Sequence, residues 1–201
     1  MKGLLVDFGG VLTTDVFESF AAFCRAEGLD PSFVRDRFMH DATARDLLHE
    51  LELGRISEPE FERRFAELLG VAPDGLVDRL FGGMAPEPAV IQAVRAARAA
   101  GVRTGLLSNS WGDHRYDREQ FPALFDVTVI SGEVGLRKPD PAIYELAAER
   151  LGLPAAQIVF VDDLPGNLKP ARALGMTTVL HRSAPETVAE LERVLGVALA
   201  T

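Results

Sequence analysis

Four short polar groups, spread over 157 residues from Asp7 to Asp163, carry the chemistry of this chain. Asp7 follows the apolar run Leu4-Leu5-Val6 and precedes Phe8-Gly9-Gly10. Ser108-Asn109-Ser110 follow Val102–Leu107. Lys138 lies in Gly135-Leu136-Arg137-Lys138-Pro139-Asp140-Pro141, and Asp162-Asp163 follow Ile158-Val159-Phe160-Val161. Each group alone has a plain structural explanation, as a turn former, a helix cap or a solvated loop cation. If one fold gathers them, three carboxylates repel one another and resist ionisation unless a cation compensates. Lys138 offsets one charge. The remainder calls for a hard divalent ion with oxygen ligands, for which magnesium is the candidate. His40, His49, His114 and His181 show no ligand spacing, which argues against zinc.

The elements around these groups predict how they would meet. An unbroken apolar run at Leu4-Leu5-Val6 marks a strand buried on both faces of a parallel sheet. Residues 15–85 then change to helical spacing: Phe17, Phe20, Ala21, Cys24; Leu47, Leu48, Leu51; Phe61, Phe65, Leu68, Leu69. Asp30-Pro31 and the capping box Ser57-Glu58-Pro59-Glu60 give start signals, and about four helices are expected. From Pro86 onward helices and strands alternate. A helix over Ala89–Ala100 closes at Gly101, and strands are expected at 102–107, within 125–130, at 158–161 and at 177–180. Between and after them, helices begin at Asp140-Pro141, at Pro165 and behind Ser183. That alternation means βαβ crossovers. The expected fold is therefore α/β: a three-layer, Rossmann-like parallel-sheet core over 1–14 and 86–201, with an all-helical cap over 15–85 inserted after the first strand. In such sheets ligands bind beyond the carboxyl ends of the strands, where all four polar groups fall.

Composition narrows the function. Hydrophobic residues make up 47% and charged residues 25%, ordinary for a globular chain with a sizeable core. Thirty acidic against 21 basic residues give a formal charge of −9, which disfavours a nucleic-acid or anionic-membrane partner. Cys24 is the single cysteine and falls on an apolar helical face, so a core role and a reducing compartment are expected. With neither a leader pattern nor a run of membrane-spanning length, the expected location is cytoplasmic. The oligomeric state stays open.

Taken in order, Asp7 after its apolar strand, Leu107-Ser108-Asn109, Lys138-Pro139 and Asp162-Asp163 resemble the four motifs of the haloacid dehalogenase-like hydrolase superfamily. Ser108-Asn109-Ser110-Trp111 and the stretch from Val159 to Met176 are most similar to the amino-terminal phosphatase domain of soluble epoxide hydrolases. The resemblance implies a magnesium-dependent phosphatase of a small phosphorylated metabolite. Asp7 would be the nucleophile and form an aspartyl-phosphate. Asp7, the Gly9 carbonyl and Asp163 would hold magnesium, with Asp162 in an outer position. The Ser108 hydroxyl and the Asn109 backbone amide would hold phosphoryl oxygens, and Lys138 would balance charge. A cap in this position makes Phe17, Phe20, Met39, His40 and Trp111 candidates to line a cleft, with the helical core the alternative place for most of them.

One residue departs from the pattern. Phosphatases of this superfamily usually carry a second aspartate two positions after the nucleophile, as general acid and base; here that position is Gly9. Asp15 or His114 is the alternative proton source. The same departure admits a second reading, a binding or regulatory protein with a weakened site. A third reading, a metal-independent 2-haloacid dehalogenase, lacks the second aspartate too but does not present an Asp-Asp pair in its fourth motif.

Overall fold

The computed structural model describes residues 1–112 and 116–199. Five strands, β1 (Gly3–Val6), β2 (Arg103–Ser108), β3 (Val127–Ile130), β4 (Ile158–Asp162) and β5 (Thr177–Leu180), form one parallel sheet in the order β3-β2-β1-β4-β5. The opening run is the central strand, with Leu5 level with Gly105 on one side and Phe160 on the other. Alternation within it feeds two cores. Leu4 and Val6 join a cluster with Val94, Leu106 and Leu191, whereas Leu5 faces Leu107, Ile143, Tyr144 and Phe160 on the opposite face. Helices α6 (Pro88–Ala99) and α11 (Ala184–Leu195) cover the first face, and α9 (Pro141–Leu151) and α10 (Pro165–Ala173) the second. The α/β reading is therefore the fold observed.

Because β1 connects toward β2 while β4 connects toward β5, the crossovers diverge between these two central strands. That is the switch point at which open α/β sheets leave a crevice. Asp7 and Asp162-Asp163 stand on either side of it.

Between Val16 and Phe81 lie five helices, one more than expected: α1 (Val16–Ala26), α2 (Phe33–His40), α3 (Ala42–Glu52), α4 (Glu58–Leu69) and α5 (Leu76–Phe81). Asp41 ends α2 and caps α3 by accepting the Thr43 and Ala44 N–H groups, and the helix without a signal in the sequence is α5, six residues long. Helix α2 begins two residues later than Asp30-Pro31 indicates. Asp30 instead closes a turn, its side chain accepting from Ser32 N–H and its carbonyl from Phe33 N–H. Ser57 does cap α4, through Glu60 N–H at 3.4 Å. These helices bury their own cluster, including Phe20, Cys24, Phe61 and Phe65, separate from the two sheet cores. Two chain segments running side by side join them to the sheet, paired by the Thr13–Pro86 bridge and by Thr14 N–H on the Ala85 carbonyl at 2.8 Å.

Strand β2 starts one residue later than expected. Val102 N–H bonds back to the Ala97 carbonyl and Gly101 N–H to that of Arg98, so both residues belong to the end of α6. Sequence periodicity also missed two single-turn helices, α7 (Phe121–Leu124) and α8 (Ser131–Val134), which are too short to show a period.

Candidate active site

The sheet fixes Asp7 directly: its backbone N–H still bonds to the Val161 carbonyl at 2.9 Å, one residue past the end of β1. Its Oδ1 accepts from Phe8 N–H at 2.7 Å and faces Lys138 Nζ at 2.8 Å. Burial pushes the Asp7 carboxyl well above the usual carboxylate range; Lys138 opposes that shift, and Asp162 and Asp163 add to it.

Lys138 arrives on the loop between α8 and α9, with its side chain 1% exposed between Asp7 and Asp162. Its backbone is held from across the cleft by Asn109, whose Nδ2 donates to the Lys138 carbonyl at 3.0 Å and whose Oδ1 accepts the Lys138 N–H at 2.8 Å. Burial alone would lower the lysine pKa, but Asp162 and Asp7 lift it above its ordinary value. The two carboxylates thus favour the charged ammonium.

The two consecutive aspartates of β4 differ in what they have left to offer. Asp162 is fully buried and saturated. Its Oδ1 accepts from Leu164 N–H at 2.8 Å and Asn167 Nδ2 at 3.0 Å, and its Oδ2 from Lys138 Nζ at 2.7 Å and Asn167 Nδ2 at 3.1 Å. Asp163 has no such set of partners among the described residues, and its carboxylate is partly exposed. Burial and the neighbouring Asp162 raise it to about 6. Carboxylate oxygens of Asp7, Asp162 and Asp163 lie within 4.8 Å of one another. One lysine cannot neutralise three carboxylates at that spacing, so the donor set fits an added hard cation.

The Gly9-Gly10 turn packs against Asp163. Gly10 has φ +72°, and a Cβ there would lie 2.5 Å from Asp163 Oδ2, so both the turn and the carboxylate require glycine. Gly9 lies in the cleft wall without that restriction; a Cβ would meet a Val16 methyl at 3.0 Å.

Ser108 ends β2 and is 3% exposed. Its hydroxyl lies 3.0 Å from the Tyr116 hydroxyl, a partner that nothing in the sequence pattern indicates. The floor of a cavity of about 510 Å³ is formed by Asp7, Gly9, Ser108, Asn109, Lys138 and Asp163, and its roof by Phe17, Phe20, Phe38, Met39, Phe81 and Trp111. His40, expected in this lining, is not part of it. Asp15 serves as the cap of α1, accepting from Phe17 N–H at 2.6 Å, and His114 lies outside the described residues.

Helices and floor are joined at two places. Glu52, at the end of α3 and 5% exposed, pairs with Arg137 Nε at 2.5 Å, and its carbonyl accepts the Ser131 hydroxyl. Trp111, one residue beyond Ser110, is surrounded by Phe20, Phe38, Phe61 and Phe81 at ring-centroid distances of 5.0–5.8 Å. Asn167, Glu52 and Tyr116 escaped the sequence reading because each reaches the site only through tertiary contact.

A carboxylate-rich switch point roofed by inserted helices defines a class of α/β hydrolases. The chain belongs to the haloacid dehalogenase-like hydrolase family, whose model matches residues 1–175. It is 38% identical over 117 residues to bifunctional epoxide hydrolase 2 of Sus scrofa, a match covering 55% of this chain and 21% of that protein. Against the pyrimidine 5'-nucleotidase of Escherichia coli it is 28% identical over 209 residues, covering 94% and 92% of the two chains. A family enzyme from Bacteroides thetaiotaomicron, solved with magnesium and inorganic phosphate, has the same fold, with a TM-score of 0.68 and 23% identity over 90% of this chain and 94% of that one. None of the helices in the described residues is long and apolar enough to cross a membrane.

Proposed function

We propose that the protein is a magnesium-dependent phosphatase acting on small phosphate monoesters, with Asp7 as the group that takes the phosphoryl unit. The observation that carries this reading is the ordered cluster of Asp7, Lys138, Asp162 and Asp163 at the floor of a closed-over cleft. In the likeness to a nucleotidase and to a fold solved with magnesium and phosphate it has independent support.

Asp162 has spent its acceptors on Lys138, Asn167 and Leu164, which leaves Asp7 and Asp163; together with the Gly9 carbonyl that the family resemblance implies, these are the residues that would hold magnesium. Bound there, the ion supplies positive charge against the carboxylates and polarises a phosphoryl oxygen. Asp7 attacks phosphorus, the ester oxygen leaves with the bonding pair, and water later cleaves the acyl phosphate to return the carboxylate. Lys138 holds the nucleophile in place and stabilises charge on the phosphoryl oxygens, and Ser108 and the Asn109 backbone N–H bind those oxygens. The five helices act as a lid that shields the site from water. Phenylalanines, Met39 and Trp111 make up much of its roof, with Arg35 and Glu52 among them, so apolar and aromatic substrate groups are favoured there.

Release of inorganic phosphate from a panel of aryl, alkyl and sugar phosphates, with and without magnesium, tests this directly. Turnover is expected only with magnesium and fastest for apolar esters; no release from any member would overturn the reading.

Gly9 explains which esters should turn over slowly. No side chain at position 9 protonates a departing alkoxide, so esters with acidic leaving groups are favoured. Gly9→Asp should raise alkyl-phosphate turnover by about 10–10²-fold and change 4-nitrophenyl phosphate by only about twofold. Pairing it with Val16→Ala relieves the one close contact. A folded Gly9→Asp protein with no gain on alkyl esters would show that proton delivery is not what limits them.

A further inference from the structure

Tyr116 is a buried hydroxyl that the reading above leaves without a task. It is 8% exposed, lies in the cavity wall, and places its oxygen 3.0 Å from Ser108 Oγ. Its ring is wedged edge-on against Phe8, the residue beside Asp7, at a centroid distance of 4.9 Å, and against Phe121 at 6.0 Å. The Arg118 guanidinium covers the ring at 5.8 Å. Packing thus sets the direction of the phenol independently of the hydrogen bond it makes.

We propose that Tyr116 is the positioning residue of the phosphoryl pocket, donating its proton to Ser108 Oγ so that the serine hydrogen is turned toward the bound phosphoryl oxygen. The argument is one of hydrogen counting. A phosphoryl dianion offers only acceptors, and Ser108 has a single hydrogen to give it. If Ser108 donated to Tyr116, none would remain for the substrate. Without substrate that hydrogen has only a long contact, 3.3 Å to the Asn109 carbonyl, which an anion readily displaces. With Tyr116 as donor the serine is both aimed and polarised, since a hydroxyl that accepts a bond becomes a better donor. Burial keeps the phenol protonated, and the nearby Asp7 acts in the same sense.

This inference rests on the phosphatase reading, and a double-mutant cycle on Tyr116→Phe and Ser108→Ala separates the two. Phenylalanine keeps every ring contact, so a folded protein is expected, checked by an unchanged melting temperature. Should Tyr116→Phe melt early, Tyr116→Leu supplies a packing control, and the cycle is scored on the difference between the two variants. In the wild-type background Tyr116→Phe should raise both KM for 4-nitrophenyl phosphate and the inhibition constant of inorganic phosphate by about fivefold, with kcat changed less. In the Ser108→Ala background the same change should have less than about a twofold effect, because the relay has already been cut. Equal effects in both backgrounds, or no effect in the wild type, would overturn the assignment of Tyr116. A wild-type protein that releases no phosphate at all would instead overturn the phosphatase reading.

Discussion

Asp7→Asn is expected to cut phosphate release by at least about 10⁴-fold while leaving the protein folded and its melting temperature unchanged or higher. The two effects come from the same atoms. An amide oxygen at Oδ1 can still accept from Phe8 N–H and Lys138, so the turn after β1 keeps both bonds. Yet the amide is too poor a nucleophile to take a phosphoryl group, and one of three mutually repelling charges has been removed. Parallel measurement of turnover and thermal unfolding tests both halves. Undiminished cleavage in a protein whose identity is verified by mass would move the nucleophile elsewhere.

Lys138→Met should do the opposite to stability and nearly the same to activity. The methionine fills most of the volume but leaves Asp7 and the fully buried Asp162 without their cation. Breaking a buried ion pair on one side costs about 3–5 kcal/mol, which for a chain of this size lowers the melting temperature by roughly 10 °C. Loss of the donor at the phosphoryl site removes a further factor of about 10²–10³ from turnover. The contrast between the variants is the informative result: one inactive and stable, the other inactive and unstable. Differential scanning calorimetry beside the phosphate assay distinguishes them, and a Lys138→Met protein as stable as wild type would mean that Asp7 and Asp162 do not depend on this lysine.

How far the sequence reveals the site depends on how each residue reaches it. Asp7, Ser108 and Asp162-Asp163 all end apolar runs, and runs buried on both sheet faces are visible without any knowledge of the fold. Lys138 was legible for a different reason, its place in an ordered set of motifs; no periodicity marks its loop. The division of labour between Asp162 and Asp163 was legible only through the family resemblance, because physically it depends on Asn167, in the first turn of α10, and on Leu164 N–H, both of which bond to the first carboxylate and not the second. Glu52 is 85 residues from its partner Arg137, and such a pair has no local signature. Helix α5 left no signal because its six residues are too few to show a helical period.

Trp111 belongs by sequence to the proposed phosphoryl-binding loop and by packing to the aromatic cluster of the inserted helices. If those helices act as the proposed lid, their displacement would not leave Ser108-Asn109-Ser110 unaffected, since the indole three residues beyond Ser108 is packed among them. Opening of such a lid and anion affinity would then share a mechanical link. As the chain contains one tryptophan, its ultraviolet emission observes that link without a label.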